Sequence, residues 1–288
     1  MFKLGFATLR CIYLLKTRNV KLAIGFGGLT SFPALYGAKI LKIPIILHEQ
    51  NSVLGKANRF FLKDSHLLAT SYENTIGLEE GNTVIETGNP IRSVVFNAKR
   101  RRTRITKEIH ILVIGGSQGA KIMDEVVAKA ITSIPDDIQE GISIWHQVRD
   151  INAVKEIYTH SKIKRFYIEH FLKDVPQLMA DSDLVITRAG ASALSEIEHL
   201  RVPSIVIPMA ASADNHQYHN AIEHLKKGSS IIVEEKDLSV EFLLSKLTNL
   251  LVDGKLEELH NIAKNCQENT SAQKLAVKVN EVIINLRL

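Results

Sequence analysis

A chain of 288 residues, 45% hydrophobic and 23% charged, has ordinary globular composition and the length of two domains. Its formal charge of +5 suits anionic ligands or an anionic membrane surface and is too weak to argue for nucleic acid. Two cysteines without CxxC spacing give no disulfide framework and point to a reducing cytoplasm, and no apolar run reaches the ~18–20 residues of a spanning helix.

The first residues, MFKLGFATLRCIYLLKTRNVK, begin inside a helical pattern. No small-residue cleavage site follows the apolar part, so this is not a signal peptide. Phe2, Phe6, Leu9 and Tyr13 form one apolar row, and Leu4, Ala7, Cys11 and Leu15 form another. Lys3, Arg10, Lys16, Arg18 and Lys21 surround them. A half-buried first helix and a basic, aromatic helix lying on a membrane both fit.

From Lys21 onward strands alternate with helices. LAIGFGG reads as a strand and glycine turn, and SFPALYGAKIL as a helix with Pro33 near its start. IPIILHEQN is a strand, ANRFFLKD a short helix, and HLLATS and TVIETG short strands. Residues 97–108, NAKRRRTRITKE, are basic and lack apolar periodicity, so they read as an exposed linker. A second series starts with a strand at Ile109–Ile114 and a helix reaching about Thr132. GISIWHQV, RFYIEHF, DLVITR, PSIVIPM and SSIIVEE are its later strands, with helices between them and a helical end. Such alternation predicts parallel sheets covered by helices: an α/β chain whose second half is a complete doubly wound domain. The expected division is 1–97, a linker at 98–108, and 109–288.

Several motifs carry possible chemistry. ILVIGGSQGAK is a strand, glycine turn and helix start. It lacks the Gly-Lys-Ser/Thr ending of a P-loop, and its glycines at 115, 116 and 119 miss the dinucleotide fingerprint. Backbone amides at a helix start, with the Ser117 hydroxyl, still suit phosphate oxygens; a close-packed turn without a ligand is the plainer alternative. TRAGASALSEIEHL is a second such turn. There Glu196 either accepts hydrogen bonds from a ribose diol or complements the helix dipole. In PMAASADNHQYHNA, Asp214 to Gln217 suit sugar hydroxyls, or Asp214 or Asn215 is a helix cap. LHEQN fails the zinc motif HExxH, because Ser52 stands where histidine is needed. TGNPIR delivers Arg92 from a glycine–proline turn, either to a ligand phosphate or to solvent.

In this order the motifs IGFGGLTSFPAL, IPIILHEQN, TGNPIR, ILVIGGSQGA, IWHQ, RAGASALSEI and DNHQYHNA closely resemble the MurG-type glycosyltransferases. These enzymes move N-acetylglucosamine from UDP-N-acetylglucosamine onto undecaprenyl-pyrophosphoryl-muramoyl-pentapeptide in peptidoglycan synthesis. The resemblance implies the GT-B architecture, two Rossmann-like domains facing a cleft. It implies a peripheral enzyme on the cytoplasmic face of the inner membrane, with neither metal nor other cofactor. It places Ser117 at the UDP diphosphate, Asn51 and Arg92 at the donor, and Leu172 against the uracil. Ala191, Ser192, Ala193, Leu194, Ser195 and Glu196 would cradle phosphate and ribose, with Glu196 on the ribose hydroxyls and Gln217 on the sugar.

The departures are specific. The family's first glycine loop, GGTGGHxxPA, carries a histidine at the reaction centre, and no stretch here matches it. The resemblance therefore implies that the chain lacks about two βα units, roughly 60–70 residues. The first sheet is then expected to expose apolar faces and unpaired edges. No catalytic residue is assigned. Ala193 stands where a hydroxyl is common, and Val148 and Arg149 replace a small polar–glycine turn. Two other readings keep the fold: a non-catalytic nucleotide-sugar-binding remnant, and another UDP-sugar enzyme such as a 2-epimerase.

Overall fold

The computed structural model describes residues 2–78, 81, 83–100, 105–115 and 121–287. Each of the ten strands expected from the pattern forms, and every pairing between them is parallel. The chain divides into two compact units, residues 1–90 with 269–288 and residues 91–268.

The first unit holds β1 (Ala23–Gly25), β2 (Ile45–Glu49), β3 (Leu67–Thr70) and β4 (Val84–Glu86), side by side in that order. Ile45 and Leu47 of β2 and Leu68 of β3 meet Leu35, Ala38, Phe61 and Leu62 in its core. The helix Phe2–Thr17 packs on the helix Gly28–Ile40. Gly37 permits the close approach, since a methyl group there would lie 3.2 Å from Ile12 Cγ1 and Leu15 Cδ1. The two apolar rows of the first helix separate accordingly. Ala7, Cys11 and Leu15 are half-buried, while Phe6, Leu9 and Tyr13 are exposed. The second helix starts at Gly28, three residues before the expected Ser31, because Gly27 and Gly28 both take positive φ and turn the chain early. Pro33 consequently falls in the second turn. Ile24 of β1 and the following Phe26 are exposed.

The second unit holds β5 (Ile109–Ile114), β6 (Ile142–Gln147), β7 (Arg165–Glu169), β8 (Leu184–Thr187), β9 (Ser204–Val206) and β10 (Ser230–Ile232). Their order is β10-β9-β8-β5-β6-β7, so winding runs outward from β5 on one side and from β8 on the other. This is the doubly wound arrangement, with its switch point between β5 and β8. The pleat of β5 feeds both faces. Ile109, Ile111 and Val113 enter one core, and Leu112 and Ile114 the other. Helices cover both faces, which is why the strand reads as an apolar run interrupted only by His110.

The unit boundaries correct the expected division at two places. Ile91, Val95 and Ala98 pack into the second unit's core, and Ser93–Asn97 forms a helical turn, so the boundary lies before Ile91 and not after residue 97. The final helix, Ser271–Asn285, belongs to the first unit: Asn269 Nδ2 donates to Asn89 O at 3.0 Å, and Leu275 is buried. Sequence pattern shows that a helix forms there and not which sheet it returns to. The basic segment is also more than a solvated linker. Arg100 Nη1 donates to Leu200 O at 3.2 Å and also to Arg201 O, satisfying carbonyls at the end of the helix Ala191–Leu200.

Candidate functional site

Ile114 and Thr187 are register partners at the carboxyl ends of β5 and β8. The segments that follow β5 and β8 therefore start side by side at the switch point, where doubly wound sheets bind ligands. Gly115 starts the first turn; Ser117, the expected diphosphate contact, lies outside the described residues.

The second turn enters the helix Ala191–Leu200 through Gly190, which as a glycine brings no capping side chain of its own to the first amides. A methyl group on Gly190 would meet nothing within 4 Å among the described residues, so they leave the space before the helix open. The uncapped N–H groups and the positive end of the dipole make this an anion-accepting end. Ala191 and Leu194 face inward, with Leu194 in a small core with Ala189, Val206 and Ala221. Those two residues offer a ligand only their backbone. Ser192 is exposed and Ala193 half-buried, while Ser195 Oγ donates to Ala191 O at 2.9 Å.

Glu196 is held by Arg92. Arg92 Nε reaches Oε1 at 2.8 Å and Nη2 reaches Oε2 at 2.9 Å. The carboxylate side chain is 6% exposed and that of the arginine 59%. The same bond raises the Arg92 pKa above its ordinary value, against a smaller opposing effect of burial. The sequence reading sent Arg92 to the donor phosphate and Glu196 to the ribose; the structure joins them to each other. Residues 92–100 run along this helix, since Phe96 packs edge-on against His199 at 4.6 Å and Arg100 meets the helix end.

Leu172 is buried among Leu112, Met179, Val185 and Ile197, so its side chain belongs to the core. The exposed aromatic side chain of that turn is its neighbour Phe171. Gln217 Oε1 accepts the Met209 N–H at 3.0 Å, and the Gln217 N–H reaches Ser212 Oγ at 3.2 Å. Asn215 holds the cap position of the helix His216–Leu225 with a left-handed backbone but makes no side-chain cap bond. Asn51 lies in the first unit, where its N–H and Nδ2 both reach Glu49 Oε1 at 3.0 Å. The buried Glu49 also accepts from Gly55 N and Asn58 Nδ2 through Oε2. Beside it, His48 Nε2 lies 3.0 Å from Gly88 O, and burial lowers the ring's pKa.

Two groups escaped the sequence reading. Arg188, buried at the end of β8, places Nη1 on Ile207 O at 3.2 Å and Nη2 on Glu235 Oε1 at 2.6 Å. Glu235 Oε2 accepts the Ala210 N–H at 2.8 Å. Burial works against the charged form of Glu235, yet the Ala210 N–H and the Arg188 guanidinium hold its pKa below the usual range. Asp124, in the first turn after the glycine loop, accepts the Arg149 N–H at 2.8 Å, and burial pushes its carboxyl up. Among the described residues no group of three His, Cys, Asp or Glu side chains is placed to hold a metal.

Residues 110–279 match the family model described as the glycosyltransferase family 28 C-terminal domain, and residues 1–65 match that family's N-terminal domain. The chain belongs to glycosyltransferase family 28. The family 28 C-terminal match spans the six strands of the second unit apart from Ile109, the first residue of β5. The UDP-N-acetylglucosamine–N-acetylmuramyl-(pentapeptide) pyrophosphoryl-undecaprenol N-acetylglucosamine transferase of Wolbachia pipientis subsp. Culex pipiens (strain wPip) is 37% identical over 92% of this chain and 77% of its own length. The enzyme of the same name from Rhodospirillum centenum is 34% identical over 87% of this chain and 68% of its own. Among solved structures, MurG of Acinetobacter baumannii superposes with a TM-score of 0.76 at 25% identity, over 97% of this chain and 80% of that one. A putative UDP-N-acetylglucosamine 2-epimerase of Listeria monocytogenes reaches 0.71 at 13% identity, over 98% and 80%, a likeness of fold.

Proposed function

We propose that this family 28 chain is a hexosyltransferase of peptidoglycan synthesis. It transfers N-acetylglucosamine from UDP-N-acetylglucosamine to the undecaprenyl-pyrophosphoryl-linked N-acetylmuramoyl-pentapeptide. The observation that carries this is the coincidence of the family match with the β5/β8 switch point and its open helix start. The acceptor hydroxyl oxygen forms a bond to the anomeric carbon, the bond from that carbon to the diphosphate oxygen breaks, and the hydroxyl proton passes to a base. Negative charge grows on the departing UDP. The uncapped amides of the helix Ala191–Leu200 stabilise it, with Ser117 on the diphosphate. Glu196 takes the ribose diol, Arg92 then turns to the donor phosphate, Gln217 holds the sugar, and Asn51 is a further donor contact. The Leu172 turn meets the uracil through its backbone and Phe171. The second unit is the donor side and the first is the acceptor and membrane side.

The first unit rests on the cytoplasmic face of the inner membrane. Supporting this, Phe6, Leu9 and Tyr13 point outward beside Arg10 and Lys16, and Leu29, Tyr36 and Phe60 add exposed apolar surface. No helix of the described residues is long and apolar enough to cross a membrane. An anionic lipid surface, and not nucleic acid, is the polyanion this charge serves. Cell shape and division depend on the product as wall material.

Labelled UDP-N-acetylglucosamine incubated with the lipid-linked acceptor in anionic vesicles tests the reading. The expected result is a labelled lipid-linked disaccharide with one UDP released per transfer. Donor binding without transfer would favour a non-catalytic binding protein, and conversion of the donor sugar to its 2-epimer would favour an epimerase. Sedimentation with the vesicles, weakened by joint Phe6→Ser and Tyr13→Ser substitution, tests the membrane side.

A further inference from the structure

The loop between β9 and the helix His216–Leu225 is held at successive points by side chains from elsewhere in the second unit. Arg188 donates to the carbonyl of Ile207, where the loop begins. Gln217 Oε1 accepts the N–H of Met209, and Glu235 Oε2 accepts the N–H of Ala210. The other oxygen of Glu235 fixes the Arg188 guanidinium at 2.6 Å. Glu235 thus fastens the loop twice, directly at Ala210 and through Arg188 at Ile207. It stands in the turn Glu235–Asp237 that follows β10, one strand further from the switch point than the loop it holds.

We propose that Glu235 is a positioning residue for the donor sugar. It sets the path of residues 207–210 so that Met209 N–H engages Gln217 Oε1, which leaves the Gln217 Nε2 hydrogens to serve sugar hydroxyls. A carboxylate suits this task because its two oxygens accept from a backbone amide and a guanidinium at once, and both bonds gain from its charge. The pairing also gives the buried Arg188 a directly bonded counter-charge, beside the longer-range attraction of Asp124. Loss of Glu235 leaves the amides of the helix Ala191–Leu200 in place, so nucleotide binding and sugar binding separate. The inference rests on the reading of Gln217 as the sugar contact.

Titration calorimetry of the full chain with UDP and with UDP-N-acetylglucosamine tests it, using the ratio of the two affinities. Glu235→Ala should lower that ratio about tenfold, the loss of one charge-assisted bond's worth of positioning. Glu235→Gln, which keeps an acceptor for Ala210 N–H, should lower it less. Glu235→Ala combined with Gln217→Ala should lose no more than Gln217→Ala alone, because the two act through one contact. A purely structural role would lower both affinities together and leave the ratio unchanged; that result, or multiplying losses in the double variant, overturns the proposal. Should Glu235→Ala melt before the titration, Glu235→Gln carries the same comparison. If the unsubstituted protein binds no UDP-N-acetylglucosamine, the donor-site reading fails. If it binds and the ratio ignores Glu235, only the positioning role fails.

Discussion

Arg92 and Glu196 form a two-pronged ion pair in which the carboxylate is buried and the arginine largely exposed. A guanidinium fork and a vicinal diol offer a carboxylate the same thing, two parallel hydrogen bonds. On the proposed reading of Glu196 as the ribose contact, Arg92 occupies the positions that ribose hydroxyls would take.

The asymmetry of burial sets the stability effects. Arg92→Ala strips a buried carboxylate of its cation and should destabilise the second unit by about 2 kcal/mol, below the usual loss for a buried pair because water reaches the vacated side. Glu196→Gln keeps an acceptor for Arg92 and leaves the arginine in water, so it should change stability by about 1 kcal/mol or less. Urea unfolding of both variants checks the order; equal effects would count against it.

Glu196→Ala should weaken UDP binding about tenfold while leaving 2′,3′-dideoxy-UDP unaffected, since the lost interaction is with the diol. Calorimetry with the two nucleotides decides it. Unchanged UDP affinity would remove Glu196 from the ribose site.

Two glycines should respond oppositely to alanine. Gly190 has ordinary φ and open space around it, so Gly190→Ala should leave the melting temperature within a few degrees and weaken donor binding where backbone approaches phosphate. Gly88 has φ +77°, and a methyl group there would collide with Ser271 Oγ. Gly88→Ala should destabilise by about 2–4 kcal/mol, and adding Ser271→Gly should restore the steric share alone. Thermal melts of the three variants give the comparison.

Burial lowers the His224 pKa to about 4, with Lys227 adding to the shift, and lowers that of His146 to about 3. Both folded values lie below the unfolded 6.5, so the unfolded chain binds more protons as pH falls below that value. The stability these neutral rings contribute is complete above pH 6.5 and is lost as pH falls toward 4 and 3. Each histidine adds a slope of about 1.4 kcal/mol per pH unit in that window. His224→Met should remove one such slope between pH 6.5 and 4, measured by urea unfolding at stepped pH.

Most of the secondary structure was legible because its signals are local. β5 declares itself by an apolar run ending in glycine, and β8 by LVIT before a small-residue turn. The crevice could be inferred from those turns, since parallel strands send their carboxyl ends to one edge. Legibility stopped where partners lie far apart in the chain. Arg92 and Glu196 are 104 positions apart, and Arg188 and Glu235 are 47. Leu172 was expected at a ligand, but in the turn after β7 its side chain is buried in the core with Leu112, Met179, Val185 and Ile197.

The sequence by itself determined the strand and helix series, the family, and the two glycine-bearing motifs that follow the strands at the switch point. Periodicity, glycine placement and motif order are properties of short stretches. Only the tertiary structure decided that the last helix returns to the first unit, that Ile91 opens the second, and that Arg92 covers Glu196 while Glu235 fastens Arg188 and Ala210. Those outcomes depend on which buried charge finds a counter-charge and which apolar face finds a core, and such choices exist only once distant segments are packed together.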